Sequence, residues 1–271
     1  QNWNAPLTDF DNWPRLVQLA WQIHGSQGEL ISVKNYIIHP DGFTIPYNAE
    51  KIHGISTDRA LKNGVKLNKV LEEFLNDINT VKYVVGHNIS FDNNIVGCEL
   101  LRIGKENILS NFPSIDTKDR STDYCAIPGG RGGKFKWPTL SELHEKLFQE
   151  SFGEAHNAAA DVEATARCFL ELVRISVIDF VSIGLNKVQF DEFLKVNSST
   201  IELIGLDTQP YDSISDDEKT DDINDHQGLS DSNSNIVSSF SHLHVHTQFS
   251  VLQSSSQINK IVDKAASDEM H

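Results

Sequence analysis

This 271-residue sequence has little cysteine: Cys98, Cys125 and Cys168 are widely spaced and odd in number. Neither a disulfide framework nor a C-x-x-C metal pair can be built from them, and a reducing cytoplasm fits that usage. No long apolar run is present either. The richest stretch, residues 175–185, is interrupted by Asp179 and is too short to cross a bilayer, and no charged-then-apolar leader opens the chain. A cytoplasmic protein without a membrane partner is expected. The third shortage is positive charge, with 23 Lys and Arg against 38 Asp and Glu and a formal net charge of -15. Spread evenly, that charge would argue against a phosphate-binding protein. It is uneven: nine acids and one lysine lie between positions 207 and 231 and account for about half of the excess. Acid is also what a metal-dependent nuclease needs, because carboxylates hold the cations that meet the phosphate. Nucleic acid is therefore not excluded.

Hydrophobic periodicity divides the chain. Residues 15–24 and 29–39 read as two strands joined by a tight turn at Gly25 and Gly28. Apolar residues at 67, 70, 71, 74, 75 and 78 have helical spacing, and residues 82–86 (KYVVG) read as a short buried strand. Helices are expected over 91–103, 140–148 and 158–177, the last with a stripe of Val162, Ala166, Phe169, Val173 and Val177. Helix followed by buried strand predicts an α/β sheet flanked by helices. A further helical piece lies around 189–196, followed by a short apolar run at 201–206. Residues 207–239 are rich in Asp, Ser and Asn and bury too little to offset chain entropy, which marks a disordered linker. A strand over 240–249 and a helix over 257–265 then open a new domain. The resulting division is 1–175, a helical connection at 176–206, the linker at 207–239, and a fragment at 240–271.

Three constellations carry chemistry. His87-Asn88-Ile89-Ser90-Phe91-Asp92 stands where the buried strand ends and a helix begins, the position at which open α/β sheets build sites. The alternative is a helix start, with Ser90 as cap and Asp92 answering the helix dipole. His156-Asn157-Ala158-Ala159-Ala160-Asp161 is the second. Five residues along one helix would rotate His156 and Asp161 about 140° apart, so His156 must precede the helix for both to reach one spot. The three alanines then leave room for a substrate backbone. Carboxylates to hold two magnesium ions, and a histidine titrating near neutrality as base, are what phosphodiester hydrolysis requires. The third is His242-Leu243-His244-Val245-His246, with its histidines on one face of a strand in a metal-ligand arrangement. The 131–137 stretch, Arg131-Gly132-Gly133-Lys134-Phe135-Lys136-Trp137, is the densest basic and aromatic cluster, read either as nucleic-acid contact or as a flexible glycine-rich loop.

H-N-x-x-F-D followed by H-N-A-x-x-D resembles the DEDDh family of 3'-5' proofreading exonucleases over roughly residues 1–175, and Ile52-His53-Gly54-Ile55-Ser56 matches a further motif of that family. The resemblance implies a ribonuclease H-like α/β fold with two Mg2+ or Mn2+ ions. In it Asp161 is a direct ligand, Asp92 a ligand acting mainly through water, and His156 the general base, while Ile52, His53, Asn88 and Phe91 line the pocket for the 3'-terminal nucleotide. The family's Asp-x-Glu on the central first strand has no counterpart here. Asp9 and Asp11 stand in what should be the loop after it and are expected to be solvated. The central strand is therefore expected to be missing, and the chain as given to bind magnesium poorly and cleave little. Residues 240–271 resemble the opening of the polymerase-and-histidinol-phosphatase (PHP) domain of bacterial DNA polymerase III alpha subunits. That implies His244 and His246 as a first metal pair, for Zn2+ or Mn2+ once the site is complete. Together the resemblances imply a replicative polymerase carrying its own exonuclease, with a DNA 3' end, replisome subunits and a sliding clamp as candidate partners. The rivals are a non-catalytic module that binds DNA or a replisome partner, and a stand-alone exonuclease acting on DNA or RNA.

Overall fold

The computed structural model describes residues 2–151 and 158–204, and the backbone of 240–247. Strand β1 (Leu16–His24) and strand β2 (Leu30–Ile37) form the expected hairpin, closed by Gly25 N–H donating to the Glu29 carbonyl at 2.9 Å. Two short helices follow, α1 (Tyr47–His53) and α2 (Thr57–Asn63), then α3 (Leu67–Ile78) over the predicted residues. Strand β3 (Tyr83–Gly86) leads into α4 (Ile89–Arg102). A three-residue strand β4 (Ser114–Asp116) runs directly into α5 (Thr117–Cys125), and α6 (Leu140–Phe148), α7 (Ala158–Arg174) and α8 (Lys187–Val196) follow.

Among the described residues the sheet has five strands in the order β2-β1-β5-β3-β4, where β5 is Phe240–Thr247. Sequence pattern leaves the central position vacant; in the structure the 240–247 segment lies there. Its backbone pairs antiparallel with β1, His244 opposite Ala20 and His246 opposite Gln18, and parallel with β3, His242 opposite Val85. The physical reason is the pairing requirement of buried backbone. All nine residues of β1 are buried, as are all four of β3, so their peptide groups need a strand between them. An alternating segment supplies one.

Strand alternation sorts the core into two layers. Leu19, Trp21, Ile23 and Val84 face α3 and α4, where the Trp21 indole donates to Asp77 Oδ2 at 2.8 Å and packs edge-on against Phe74. Tyr83 and Val85 face α7 and α8, packing with Phe169, Leu172 and Phe193. The residues between 176 and 204 join this second layer, because Arg167 Nε donates to the Ile201 carbonyl at 2.7 Å and Ile201 N–H to Glu171 Oε2 at 3.1 Å. All three cysteines are free and buried. Among the described residues no helix is long and apolar enough to cross a membrane.

Candidate active site

The site begins where β3 ends. Asn88 caps α4 in the left-handed conformation, φ 72, a position asparagine tolerates better than most residues. Ser90, the cap in the alternative reading of this segment, lies inside the helix, and Asn88 makes no side-chain cap bond. Instead its N–H donates to Asp116 Oδ1 at 2.9 Å, and its side-chain oxygen accepts from Lys118 Nζ at 2.8 Å. Asp116 Oδ1 also takes the Lys118 N–H at 3.0 Å, capping α5. The end of β4 thus fixes the turn after β3.

That turn delivers Asp92 into the first turn of α4, where it is 2% exposed. An acid that served only the helix dipole would gain nothing by leaving water. Asp161 is likewise in the first turn of α7 and 5% exposed. The two carboxylates come from helices on opposite layers, and both helices pack against β5. His156 lies outside the described residues. Of the alanines that precede Asp161, Ala158 and Ala159 pack with Val162 against Ala20 of β1, their small side chains letting the helix approach the sheet closely.

Of the expected pocket residues, His53 ends α1 and is buried, its Nδ1 accepting the Ile55 N–H at 3.1 Å. Burial pushes its pKa down to about 4, which keeps the ring neutral at physiological pH. Ile52 is half-buried, while Ile55 packs into a small core with Val17 and Ile37. Phe91 is partly buried, with the Trp3 ring 5.6 Å away. Asp9 and Asp11 are exposed, as expected. His244 and His246 are placed by backbone register alone, and the 257–265 helix lies outside the described residues.

Asp116, Thr117 and Lys118 escaped sequence reading. Their signal is an Asp at a helix start, D-T-K-D-R, preceded by a strand too short to show alternation. Among the described residues no group of three or more His, Cys, Asp or Glu side chains gathers as a metal cluster.

Comparison with known proteins gives one family: residues 15–169 match the profile described as Exonuclease (RNase_T). No curated protein matches the chain. Among solved structures, E. coli Exonuclease I in complex with a dT13 oligonucleotide superposes with a TM-score of 0.52 at 20% identity, covering 66% of this chain and 42% of that one. Exonuclease I from Methylocaldum szegediense, described as moderately thermophilic, gives 0.51 at 23% identity, covering 69% and 43%. These likenesses show a shared fold, and this chain spans about two fifths of the length of those proteins.

Proposed function

Because the chain belongs to the Exonuclease (RNase_T) family, whose profile covers residues 15–169, we propose that it is the 3'-5' exonuclease region of a DNA-processing enzyme, shortening a single strand from its 3' end. The observation that carries this reading is the burial of Asp92 and Asp161, each in the first turn of a helix packed on the central strand. The choice of DNA draws on structural neighbours solved with oligonucleotides.

Buried carboxylate oxygens suit, in kind, a hard divalent cation such as Mg2+ or Mn2+. Asp161 would hold it directly and Asp92 through water, half of the four-acid set that the DEDDh resemblance implies. When bound, the cation supplies the positive charge that neutralises the scissile phosphate and acidifies a water molecule. The chain's own residues do the rest. His156 takes the proton from the attacking water, and Ile52, His53, Asn88 and Phe91 orient the terminal nucleotide. His53, neutral through burial, acts there as a packing and hydrogen-bonding ring rather than as a cation.

The wider assignment is a bacterial DNA polymerase III alpha chain with a proofreading exonuclease, an acidic linker and a PHP domain in which His244 and His246 are ligands. It is supported by the H-L-H-V-H stretch and the acidic run before it. Replisome subunits and a sliding clamp are then the partners. One observation favours a second reading of residues 240–247, as part of the exonuclease sheet itself: the segment pairs on both sides within that sheet.

The test uses the protein at its full natural length with a 5'-labelled single-stranded oligonucleotide and Mg2+. Shortening in one-nucleotide steps from the 3' end is expected, with loss of a hundredfold or more in D161N and D92N. Shortening from the 5' end, or undiminished activity in D161N, would overturn the proposal.

A further inference from the structure

The glycine-rich 131–137 loop is not absorbed by the reading above, and its geometry points to a base-stacking platform. We infer that Trp137, Phe135, Arg131 and Lys134, with Lys118 beside them, bind single-stranded nucleic acid and lead it to the Asn88–Asp92 turn. What happens at the strand's end rests on the exonuclease proposal, whereas the binding does not.

The loop is built rather than slack. Lys136 N–H donates to the Ile127 carbonyl at 2.8 Å, which closes residues 127–136 into a ring. Gly132 and Gly133 have φ of 68 and 77, which side chains disfavour, and a Cβ at Gly130 would lie 2.3 Å from the Phe135 carbonyl oxygen. Glycine is needed there to shape the turn, so composition reflects geometry and not only flexibility.

That shape sets two aromatics outward, Trp137 at 64% and Phe135 at 45% exposure, values at which large rings gain little from the fold. Trp137 is steadied by the Lys118 ammonium, 4.7 Å from its centroid, and most of the ring still meets solvent. Charge selects the occupant. Positions 124–141 contain no acid and three cations, in a protein of net charge -15. Lys136 is engaged by Glu142 at 2.6 Å, but Arg131 and Lys134 are exposed and form no ion pair among the described residues. Rings with open faces beside unengaged cations suit a strand of alternating bases and phosphates.

The platform is wired to the candidate active site. Lys118 reaches from Trp137 to the Asn88 side chain at 2.8 Å, and the Pro138 carbonyl, next to Trp137, lies 3.0 Å from His87 Nε2. A strand held on Trp137 is therefore within one side chain of the turn that carries Asp92.

The test measures binding of a fluorescent oligothymidylate to the full-length protein in EDTA, where no cleavage occurs. The double substitution Trp137→Ala, Phe135→Ala should weaken binding tenfold or more with an unchanged circular dichroism spectrum, while Trp137→Phe retains most of it. Lys134→Gln and Arg131→Gln should each lower the slope of log K against log salt by about one. An unchanged dissociation constant in the folded double variant overturns the platform even if the protein is an active exonuclease. If the wild type binds through these residues yet never shortens DNA with Mg2+, the platform stands and the exonuclease proposal falls.

Discussion

His87 Nε2 lies 3.0 Å from the carbonyl oxygen of Pro138, so the end of β3 is tied to the residue two before α6. The other ring nitrogen is 3.0 Å from the Thr117 hydroxyl, which itself lies 3.0 Å from the Gly86 carbonyl. A neutral ring with its proton on Nε2 donates to Pro138, and the single Thr117 hydroxyl proton is then shared between Nδ1 and the Gly86 carbonyl. One imidazole thus joins the candidate site, the start of α5 and the Trp137 loop.

Acid should therefore loosen the protein before its carboxylates titrate. Burial is the main reason that His87 and His53 are pushed down to about 4 from 6.5, and burial also lowers His24. These rings are neutral when folded and take up protons when unfolded, so the unfolded state binds more protons below pH 6.5. Stability is full above about pH 6.5 and declines toward pH 4, by on the order of 3 kcal/mol for each of the two most shifted rings. Urea midpoints measured from pH 7 to pH 4 should fall, and H87N should flatten the decline. A midpoint constant over that range would show the rings are not held neutral.

Glu99, 0% exposed, ties the start of the chain to α4. Its Oε1 accepts from Arg15 Nε at 3.0 Å, Arg102 at 2.9 Å and the Leu16 N–H at 2.9 Å, while Arg102 also donates to the Phe10 and Trp13 carbonyls at 2.6 Å. E99A leaves two guanidinium groups with their shared counter-charge gone, at a cost on the order of 3–5 kcal/mol. Denaturant unfolding should show that loss, and the 10–16 segment should become more sensitive to proteolysis.

Arg167 plays the same part in the other layer. It is 8% exposed, lies over the Phe148 ring at 3.7 Å, pairs with Glu150 and holds the Ile201 carbonyl. R167A should cost about 2–4 kcal/mol through the lost hydrogen bond to the Ile201 carbonyl and the lost packing on Phe148, since Glu150 is exposed and its ion pair adds little. Hydrogen exchange should rise first in α6 and in residues 196–204; uniform change across the protein would argue against a local anchor.

The differences between sequence expectation and structure follow from what periodicity can detect. Helix α3 was legible because Val70, Leu71, Phe74 and Ile78 form an apolar stripe on an otherwise polar helix. Helix α5 was not, because the residues it buries, Thr117, Ser121 and Cys125, keep helical spacing but are small and mostly polar. Strand β4 and helices α1 and α2 are too short, at three and seven residues, for any period to emerge. Asp92 was legible as chemistry through its motif, yet its burial, which separates a site acid from a dipole acid, is a property of packing. Asp116 acts across parallel strands on Asn88, 28 positions away, and local pattern carries no trace of such a bond.

The placement of residues 240–247 can be decided by proline. His242 pairs with Gln22 on one side and with Val85 on the other, so whichever neighbour its N–H serves, H242P removes a ladder bond at the middle of the sheet. Proline is tolerated on edge strands and is costly in a central one, where the orphaned partner carbonyl is shielded from water. If β5 is the central strand, H242P should lower the unfolding free energy of residues 15–204 by several kcal/mol, and removal of residues 205–271 should do at least as much. His244 and His246 are untouched by the substitution, which separates loss of the strand from loss of the two candidate ligands. If instead the segment opens a separate domain, as the PHP resemblance implies, the exonuclease region should unfold at the same urea concentration with H242P as without it.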